Sequence, residues 1–339
     1  MSKVLHLIND SSVERGGAQK ILARINSIES GLSSFQYKVF SKSWAVNNTC
    51  QHQVCGGRFW ILYLIILIIK YKPDLIIIHS RCYLPFVYLF RVLNSKVVFY
   101  CHANYRKKQA FFRFLKCDQY IAVSESVKQS LSLSVSAPIT VITNPVESNS
   151  KMSPNIASEL VFNYVGALQE WKGIDKLVHF LQLYCQENSK QATLNVVGDG
   201  PLASKVKCEA EHPWLKINIL GYQSEPYKNL ELGAIQVIPS LEEGFGIVAV
   251  EALINGSPVL YSNVPALKEI LLKDVLSNGF DIYDFESFSN ALKSLLNVLH
   301  TGGAVSDIRQ KRSLQARNKY GYSSFKSKYI GLVEELLKG

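Results

Sequence analysis

Short runs of β-branched and apolar residues recur along the chain, and helix-length amphipathic segments separate them. This alternation predicts β-α-β units with parallel strands, because a parallel pair of strands needs a long crossover, usually a helix. The predicted strands are Val4–Asn9, Tyr37–Phe40, Leu75–His79, Lys96–Cys101, Tyr120–Val123, Ile139–Ile142, Val161–Val165, Thr193–Val197, Lys216–Leu220, Ile235–Ile238 and Pro258–Tyr261. The predicted helices are Ala18–Ser30, Gly56–Lys72, Ile174–Glu187, Leu202–Glu211, Phe285–His300 and Ser323–Lys338.

A polar segment with a proline, Glu147–Ala157, interrupts this alternation and is typical of a linker. The chain has 339 residues, and single hydrophobic cores stop growing at about 250–300 residues. We therefore predict an α/β fold with two Rossmann-like, doubly wound parallel-sheet domains facing a cleft. The domains are residues 1–150 and residues 158–322. Residues 323–339 are predicted to form a C-terminal helix that packs back on the first domain.

Composition excludes several classes of protein. Hydrophobic residues make up 47% of the chain, which rules out disordered and collagen-like architectures. Seven cysteines without a C-x-x-C pair argue against a disulfide framework or a zinc ribbon, so we expect reduced thiols in a cytoplasmic protein. No secretory signal is visible before the first predicted strand.

The most hydrophobic segment, Phe59–Ile69, has eleven residues without a charge. A membrane-spanning helix needs about 20 such residues, so we predict a buried helix here. Its basic flanks, Arg58, Lys70 and Lys72, leave open a helix that lies in a membrane interface.

Positive charge is confined to the first half of the chain. Residues 1–150 contain 18 Lys and Arg against 7 Asp and Glu, whereas residues 151–339 contain 19 against 20. Such an excess suits a phosphate-bearing substrate, an anionic membrane or nucleic acid; no helix-turn-helix, RNP-type or zinc-finger pattern supports nucleic acid. The segment Tyr105–Lys116, YRKKQAFFRFLK, fits either a helix lying on an anionic membrane or a surface helix whose aromatic residues face the core.

Three glycine turns follow predicted strands. Gly16 and Gly17 precede a helix whose N-terminus attracts anions, although Gly-Gly is more often structural in such a turn. Gly166 is followed six residues later by Lys172, a point charge that suits a phosphate or is simply solvated. Gly198 begins a tight Gly-Asp-Gly-Pro turn that we interpret as structural, with a possible contact to a nucleotide base.

Two glutamates, Glu243 and Glu251, flank a fourth glycine-rich junction, E-G-F-G-I-V-A-V-E-A. If a helix starts between them, Glu243 lies in the loop and Glu251 lies two turns in, on about the same face. Gly244 and Gly246 would then expose backbone N–H groups at the helix start, which suits a pyrophosphate. Carboxylates on both sides are suited to sugar and ribose hydroxyls, and the alternative is a pair of helix-surface glutamates.

This junction resembles the signature of the family-4 retaining glycosyltransferases, which have the GT-B fold. The resemblance extends over almost the whole chain, in order and spacing. Further matching segments are Gly16-Gly17, Tyr100-Cys101-His102, Ala122-Val123-Ser124, Ile142-Thr143-Asn144-Pro145, Tyr164-Val165-Gly166, Lys172-Gly173, Val197–Pro201 and Ala266–Ile270 with Glu269.

The resemblance implies roles for individual residues. Glu243 would hold hydroxyls of the donor sugar, Glu251 the ribose hydroxyls, and Lys172 the leaving phosphate. His102 would lie at the reaction centre. The amides near Phe245, Gly246 and Ile247 would contact the diphosphate, Gly166 and Gly198 would belong to turns of the nucleotide domain, and Gly16 and Gly17 would close over the diphosphate and acceptor.

Three positions depart from the family pattern. Ala167 stands where the family often has an arginine that pairs with the lysine, so one positive charge for the leaving group is missing. Asn144-Pro145 replaces the usual Asn-Gly, and Val264-Pro265-Ala266 replaces the usual glycines before Glu269. Arg15 is a candidate replacement for the missing charge.

The implied activity is transfer of a hexose, with retention, from a nucleotide-diphosphate sugar to a hydroxyl of a lipid-linked glycan. The implied setting is O-antigen, capsule or exopolysaccharide synthesis at the inner leaflet of the cytoplasmic membrane. The nucleotide sugar is a co-substrate; no cofactor and no metal are expected, since the chain lacks a D-x-D motif. A nucleotide-sugar epimerase, or a non-catalytic protein that binds a nucleotide sugar or a partner, remains the alternative.

Overall fold

A computed structural model describes residues 1–10, 17–42, 53–104, 112, 116–147, 160–231, 233–300 and 305–338. Contacts divide the chain into two compact units, Met1–Pro145 with Ser323–Gly339, and Val146–Tyr322. Most of the predicted linker and most of Tyr105–Lys116 lie outside the described residues. Phe112 is the exception among the aromatic residues of that segment, and its ring packs in the core against Phe99 and Tyr120.

The first unit contains a seven-stranded parallel sheet in the order β3-β2-β1-β4-β5-β6-β7. Apolar β-branched residues dominate its strands because both faces of the sheet are covered. The strands are β1 (Ser2–Ile8), β2 (Phe35–Ser41), β3 (Gln53–Cys55), β4 (Leu75–Ile78), β5 (Lys96–Cys101), β6 (Gln119–Ala122) and β7 (Ile139–Val141).

Helices connect these strands, and the C-terminal helix joins the same unit. They are α1 (Gly17–Glu29), α2 (Trp60–Tyr71), α3 (Val87–Val92), α4 (Glu125–Ser132) and, after the second unit, α11 (Tyr322–Lys338). Two contacts hold α11 on this unit. The Tyr329 hydroxyl donates to Glu29 at the end of α1, at 2.7 Å, and the Lys96 ammonium donates to the Leu336 carbonyl oxygen at 2.8 Å.

The prediction of a buried helix at Phe59–Ile69 was wrong. Within α2 only Leu64, Ile68 and Tyr71 are buried, and the large apolar side chains on its other face are exposed. A short 3₁₀ turn at Gly57–Phe59 precedes the helix. A continuous apolar run does not show which face the sheet covers, so its length alone misled the prediction.

The second unit contains another seven-stranded sheet, in the order β10-β11-β9-β8-β12-β13-β14. All its pairs are parallel except β10 with β11. The strands are β8 (Leu160–Val165), β9 (Ala192–Val197), β10 (Glu211–His212), β11 (Leu215–Gly221), β12 (Ile235–Ile238), β13 (Val259–Ser262) and β14 (Ser277–Phe280). Its helices are α5 (Ile174–Glu187), α6 (Ala203–Cys208), α7 (Ile247–Ile254), α8 (Pro265–Leu271), α9 (Phe285–His300) and α10 (Val305–Tyr320).

Both sheets are doubly wound, as the sequence predicted. The strand order reverses between β1 and β4 in the first unit and between β8 and β12 in the second. Ligands of such sheets bind beyond the carboxyl ends of the strands at these reversal points. The residues that follow β1, β4, β8 and β12 are therefore the first place to look for a site.

No helix among the described residues is long and apolar enough to cross a membrane. The six cysteines within the described ranges are all free thiols.

Candidate active site

Lys172 and Glu243 form an ion pair beyond the strands of the second unit. The Lys172 ammonium donates to Glu243 Oε1, and the Ser240 hydroxyl donates to the same oxygen at 2.8 Å. The side chains are 18% and 12% exposed, respectively, so the pair is only partly hydrated. The Lys172 ammonium also lies 4.5 Å from the centroid of the Trp171 ring. An anion that enters here meets a cation already oriented by a carboxylate and a ring.

Two glycine-rich loops must touch for this pair to form. Gly173, at φ +69°, ends the turn that carries Lys172, and a Cβ built on it would lie 2.0 Å from the Pro239 carbonyl oxygen. The Leu241 amide donates to the Trp171 carbonyl oxygen at 2.9 Å. The loop after β8 and the loop after β12 are thus joined through their backbones, which places Lys172 beside Glu243.

Gly166 and Gly198 lie in neighbouring turns, after β8 and β9. Gly198 has φ +149°, and a Cβ on it would lie 1.8 Å from the Gly166 carbonyl oxygen. Leu168 and Asp199 continue this contact, since the Leu168 amide donates to the Asp199 carbonyl oxygen at 2.9 Å. Gly198 is therefore required for the packing of the two turns, whatever it contacts in a ligand.

Helix α7 begins where the sequence predicted a helix between the two glutamates. Gly246 caps it at φ +96°, and a Cβ on Gly246 would lie 2.7 Å from a methyl carbon of Leu267. The Phe245 side chain is buried and packs edge-on against Tyr320, 5.7 Å between ring centroids. What Phe245 and Ile247 offer a ligand is therefore their backbone, at the positive end of a helix.

Glu251 is the fifth residue of α7, so it lies little more than one turn into the helix rather than the two turns expected. Its carboxylate is close to the buried hydroxyl of Tyr227. Burial, and then the charge of Glu251, raise the pKa of Tyr227. Likewise burial, and then the charge of Glu243, raise the pKa of Tyr164. Two phenols thus remain neutral hydrogen-bonding groups beside the two glutamates.

In the first unit, His102 immediately follows β5 and Gly17 opens α1. Gly16 lies outside the described residues. His102 stacks on Tyr100, with ring centroids 4.4 Å apart, and its Nε2 lies 3.0 Å from Nδ1 of His79. Burial lowers the pKa of His102 to about 3, so its imidazole is neutral.

Sequence analysis missed the residues that support His102. The His79 ring contacts His6 on β1, and His6 contacts Glu29. The Glu29 carboxylate in turn accepts a hydrogen bond from Tyr329. One pattern in the sequence points to this cluster, because three predicted strands each have a histidine: His6 lies within its strand, His79 ends its strand and His102 follows its strand directly. Only the strand order shows that these strands are neighbours.

The segments that carry these turns and glutamates match the models of known protein families. The family described as "Glycosyl transferases group 1" matches residues 146–300, and the family described as "Glycosyltransferase Family 4" matches residues 46–150. A relative from Salmonella typhimurium, the O-antigen chain mannosyltransferase RfbU, is 28% identical over 207 residues, 56% of this chain and 55% of RfbU. An uncharacterized glycosyltransferase of Methanocaldococcus jannaschii, MJ1178, is 29% identical over 174 residues, 50% of this chain and 47% of the relative. The chain thus spans about half the length of these relatives.

Solved structures share the whole architecture. Sucrose-phosphate synthase from Thermosynechococcus elongatus superimposes with a TM-score of 0.79 at 15% identity, over 100% of both chains. HepE of Anabaena, solved in complex with UDP-glucose, superimposes with a TM-score of 0.77 at 16% identity, over 99% of this chain and 100% of that one. At this identity the likeness establishes the fold alone.

Two doubly wound units with these topologies define the GT-B class of protein folds. The two family matches overlap at residues 146–150, near the unit boundary, and together cover residues 46–300. The chain is therefore a glycosyltransferase in which a family 4 domain is followed by a group 1 domain.

Proposed function

We propose that the protein transfers a hexose from a nucleotide-diphosphate sugar to a hydroxyl of a lipid-linked glycan, with retention at the anomeric carbon. The proposed pathway is assembly of a bacterial surface polysaccharide such as O-antigen, capsule or exopolysaccharide. Support for this setting comes from one relative, RfbU, which is named an O-antigen chain mannosyltransferase.

One observation carries the proposal: the Lys172–Glu243 pair lies in the loops that follow β8 and β12, where the strand order reverses. A lysine can neutralise a departing phosphate, and a carboxylate can accept hydrogen bonds from sugar hydroxyls. The N-terminus of α7 begins four residues after Glu243 and supplies amides for a diphosphate. The same small region thus offers groups for both halves of a nucleotide sugar.

Each of these residues has a proposed role in binding the substrates. Glu243 holds hydroxyls of the donor sugar, and Glu251 holds the ribose hydroxyls. Lys172 and the amides near Gly246 and Ile247 stabilise the diphosphate. His102 orients a substrate hydroxyl, and the glycines of the turns, Gly16, Gly17, Gly166 and Gly198, let the chain approach the ligand.

Charge stabilisation is the main chemical task in this reaction. The transition state has oxocarbenium character at the sugar and negative charge on the leaving diphosphate, and oriented dipoles and cations stabilise such charge most effectively. We assign no general base, since the leaving phosphate can itself accept the proton of the attacking hydroxyl. Lys172 and the N-terminus of α7 stabilise the negative charge of the leaving diphosphate without a metal ion.

The exposed face of α2 supports contact with an anionic membrane. Phe59, Leu62, Tyr63 and Ile69 are each more than half exposed, and no acidic residue occurs between positions 53 and 73. Lys70 lies in the last turn of the helix and Lys72 caps it, so the apolar face can enter a lipid interface while these lysines meet head groups. We propose that the protein works at the cytoplasmic surface of the membrane through this face.

A thermal-shift screen with UDP, GDP, ADP and CMP and their sugars tests the donor site. A ligand at a hundred times its dissociation constant stabilises a protein by about 2.7 kcal/mol. We expect one diphosphate to stabilise the wild type and Glu251→Ala to reduce that shift. Transfer is then assayed with the matching sugar, and the anomeric configuration of the product is determined by NMR. Binding without transfer would favour a non-catalytic protein, and a free sugar released without acceptor would favour an epimerase.

Co-sedimentation with phosphatidylglycerol vesicles tests the membrane proposal. The double substitution of Leu62 and Ile69 by Ser is expected to abolish sedimentation at 0.1 M NaCl. The matched control is Leu272→Ser, because Leu272 is 67% exposed in the second unit. Equal binding by the wild type and the α2 variant would contradict the proposed surface.

A further inference from the structure

A chain of five polar side chains runs through the interior of the first unit. The Tyr329 hydroxyl donates to Glu29 Oε1 at 2.7 Å, and the Glu29 oxygens lie 2.9 and 3.1 Å from Nε2 of His6. His6 Nδ1 lies 3.0 Å from His79 Nε2, and His79 Nδ1 lies 3.0 Å from His102 Nε2. Glu29, His6 and Tyr329 are at most 1% exposed and His79 is 3% exposed.

The topology explains why these residues meet. Strands β1, β4 and β5 are neighbours in the sheet, and His6, His79 and His102 lie in or just beyond them, toward their carboxyl ends. The three rings follow one another at centroid distances of 5.3 Å. They are joined end to end rather than around a common point, and no group of three or more His, Cys, Asp or Glu within the described ranges is arranged to hold a metal ion.

The acceptor at one end determines the proton positions along the whole chain. An ionised carboxylate only accepts hydrogen bonds, so the nitrogen that faces Glu29, His6 Nε2, carries a proton. In a neutral imidazole the other nitrogen is then an acceptor. His6 Nδ1 therefore accepts from His79 Nε2, and His79 Nδ1 accepts from His102 Nε2. The last nitrogen, His102 Nδ1, is left with a lone pair.

That nitrogen is shielded from solvent and has no hydrogen-bond partner among the described residues. A buried acceptor without a partner is costly unless a ligand supplies the donor. The proton pattern matches such a ligand, since a hydroxyl can donate to a lone pair and a carbonyl oxygen cannot.

We propose that Glu29 is a positioning residue that acts through His6 and His79 to keep His102 Nδ1 a hydrogen-bond acceptor for a substrate hydroxyl. This inference rests on the proposed function for the source of the hydroxyl, a sugar of the donor or of the acceptor. Glu29 and Tyr329 touch no substrate in this arrangement. Their part is to select one of the two neutral tautomers of His102.

The opposite pattern needs an extra proton. If His6 were a cation, its Nδ1 would donate to His79, and His102 Nδ1 would in turn become a donor. Burial lowers the pKa of His79, with further lowering by His102 and His6, and it lowers the pKa of His102 to about 3, so neither of these two rings carries an extra proton. The acceptor form of His102 is therefore the form that needs no proton added to any of the three histidines.

Glu29→Gln is expected to reverse the pattern without changing the shape of the side chain. The amide oxygen takes the position of Oε1 and accepts from Tyr329, so the amide nitrogen faces His6 and donates to its Nε2. Each histidine then shifts its proton to Nδ1, and His102 presents a donor. Glu29→Asp keeps a carboxylate and should restore the wild-type tautomers.

Tautomers are measured by ¹⁵N NMR of protein labelled on histidine, with His102→Asn used to assign the His102 signals. The wild type is expected to show an unprotonated Nδ1 and a protonated Nε2 on His102, and Glu29→Gln the reverse. Tyr329→Phe is the matched control, since it disturbs the same buried cluster but leaves an acceptor-only carboxylate. A protonated Nδ1 in the wild type, or the same tautomer in wild type and Glu29→Gln, would overturn the proposal.

Turnover supplies the second readout. In Glu29→Gln we expect kcat/KM to fall about 10- to 100-fold, the effect of an unmatched buried hydrogen bond. Glu29→Asp should recover most of this loss at an equal folded fraction. Unchanged kcat/KM in Glu29→Gln with reversed tautomers would also overturn the proposed role. If the wild type transfers no sugar at all, the proposed function fails, while the NMR experiment still decides how the chain is protonated.

Discussion

We expect the substitution of Glu243 by glutamine to separate nucleotide binding from sugar transfer. The Lys172 ammonium is held by the Glu243 carboxylate, and both side chains are less than one-fifth exposed. A diphosphate that binds Lys172 must compete with that carboxylate. Glu243→Gln keeps the shape of the side chain and removes the competing charge.

The size of this competition follows from the burial of the pair. Exposed ion pairs contribute about 0.2–1 kcal/mol, and loss of one partner of a buried pair costs about 3–5 kcal/mol. The Lys172–Glu243 pair lies between these cases, and we take about 1–2 kcal/mol. Nucleoside diphosphate should therefore bind Glu243→Gln about 5- to 30-fold more tightly.

Turnover should change in the opposite direction. The sugar loses a charged acceptor for its hydroxyls, and removal of one such group from a preorganised site costs about 10²–10³-fold in kcat. Lys172→Met should weaken both diphosphate binding and turnover, because it removes the cation itself.

Isothermal titration with the nucleoside diphosphate and steady-state transfer kinetics measure the two effects. Glu242→Gln is the matched control, since Glu242 is exposed in the same loop and carries the same charge. Weaker diphosphate binding in Glu243→Gln, as in Lys172→Met, would mean that the carboxylate orients Lys172 for the phosphate, and the argument from competition would be wrong.

Three further predictions concern other parts of the molecule. Burial lowers the pKa of His79 and His102, so the unfolded chain binds more protons than the folded chain below about pH 6.5, and the free energy of unfolding should fall as the pH is lowered from there. Urea unfolding should show that this free energy depends less steeply on pH in His102→Asn, and an unchanged dependence would contradict the prediction. Gly198→Ala should lower the free energy of unfolding by more than about 2 kcal/mol, because the added Cβ would clash with the Gly166 carbonyl oxygen. Gly221→Ala, at φ +68° but in open space, should cost only about 1 kcal/mol, and equal losses would refute the packing argument. Turnover should survive EDTA, because the sequence lacks a D-x-D motif; loss restored by Mn²⁺ or Mg²⁺ would contradict it.

Local patterns were sufficient for most of the fold. All eleven strands predicted from β-branched runs are present, with ends shifted by at most two residues, because a short run of β-branched and apolar residues is a property of the segment itself. The glycine turns after β8 and β9 and the helix between Glu243 and Glu251 were predicted for the same reason. Turn chemistry and helix starts depend on a few adjacent residues.

Three strands were missed, Gln53–Cys55, Glu211–His212 and Ser277–Phe280. They have two to four residues and exist because a neighbouring strand offers its backbone. Helix α10 was also missed, since its polar sequence buries two arginines, Arg309 and Arg312. These guanidinium groups donate to the carbonyl oxygens of Gly256 and Ser257 after α7. A sequence pattern that treats arginine as exposed does not predict such a helix.

In the candidate site, too, the sequence predicts the residue types, whereas the fold determines their contacts. The residue types near Lys172 and Glu243 were predicted from order and spacing, but their ion pair depends on the contact between two loops about 70 residues apart. The chain from Tyr329 to His102 joins five segments of the sequence, and Tyr329 and Glu29 are 300 residues apart. Periodicity and turn chemistry act over a few residues, whereas these contacts depend on strand order, which only the folded sheet establishes.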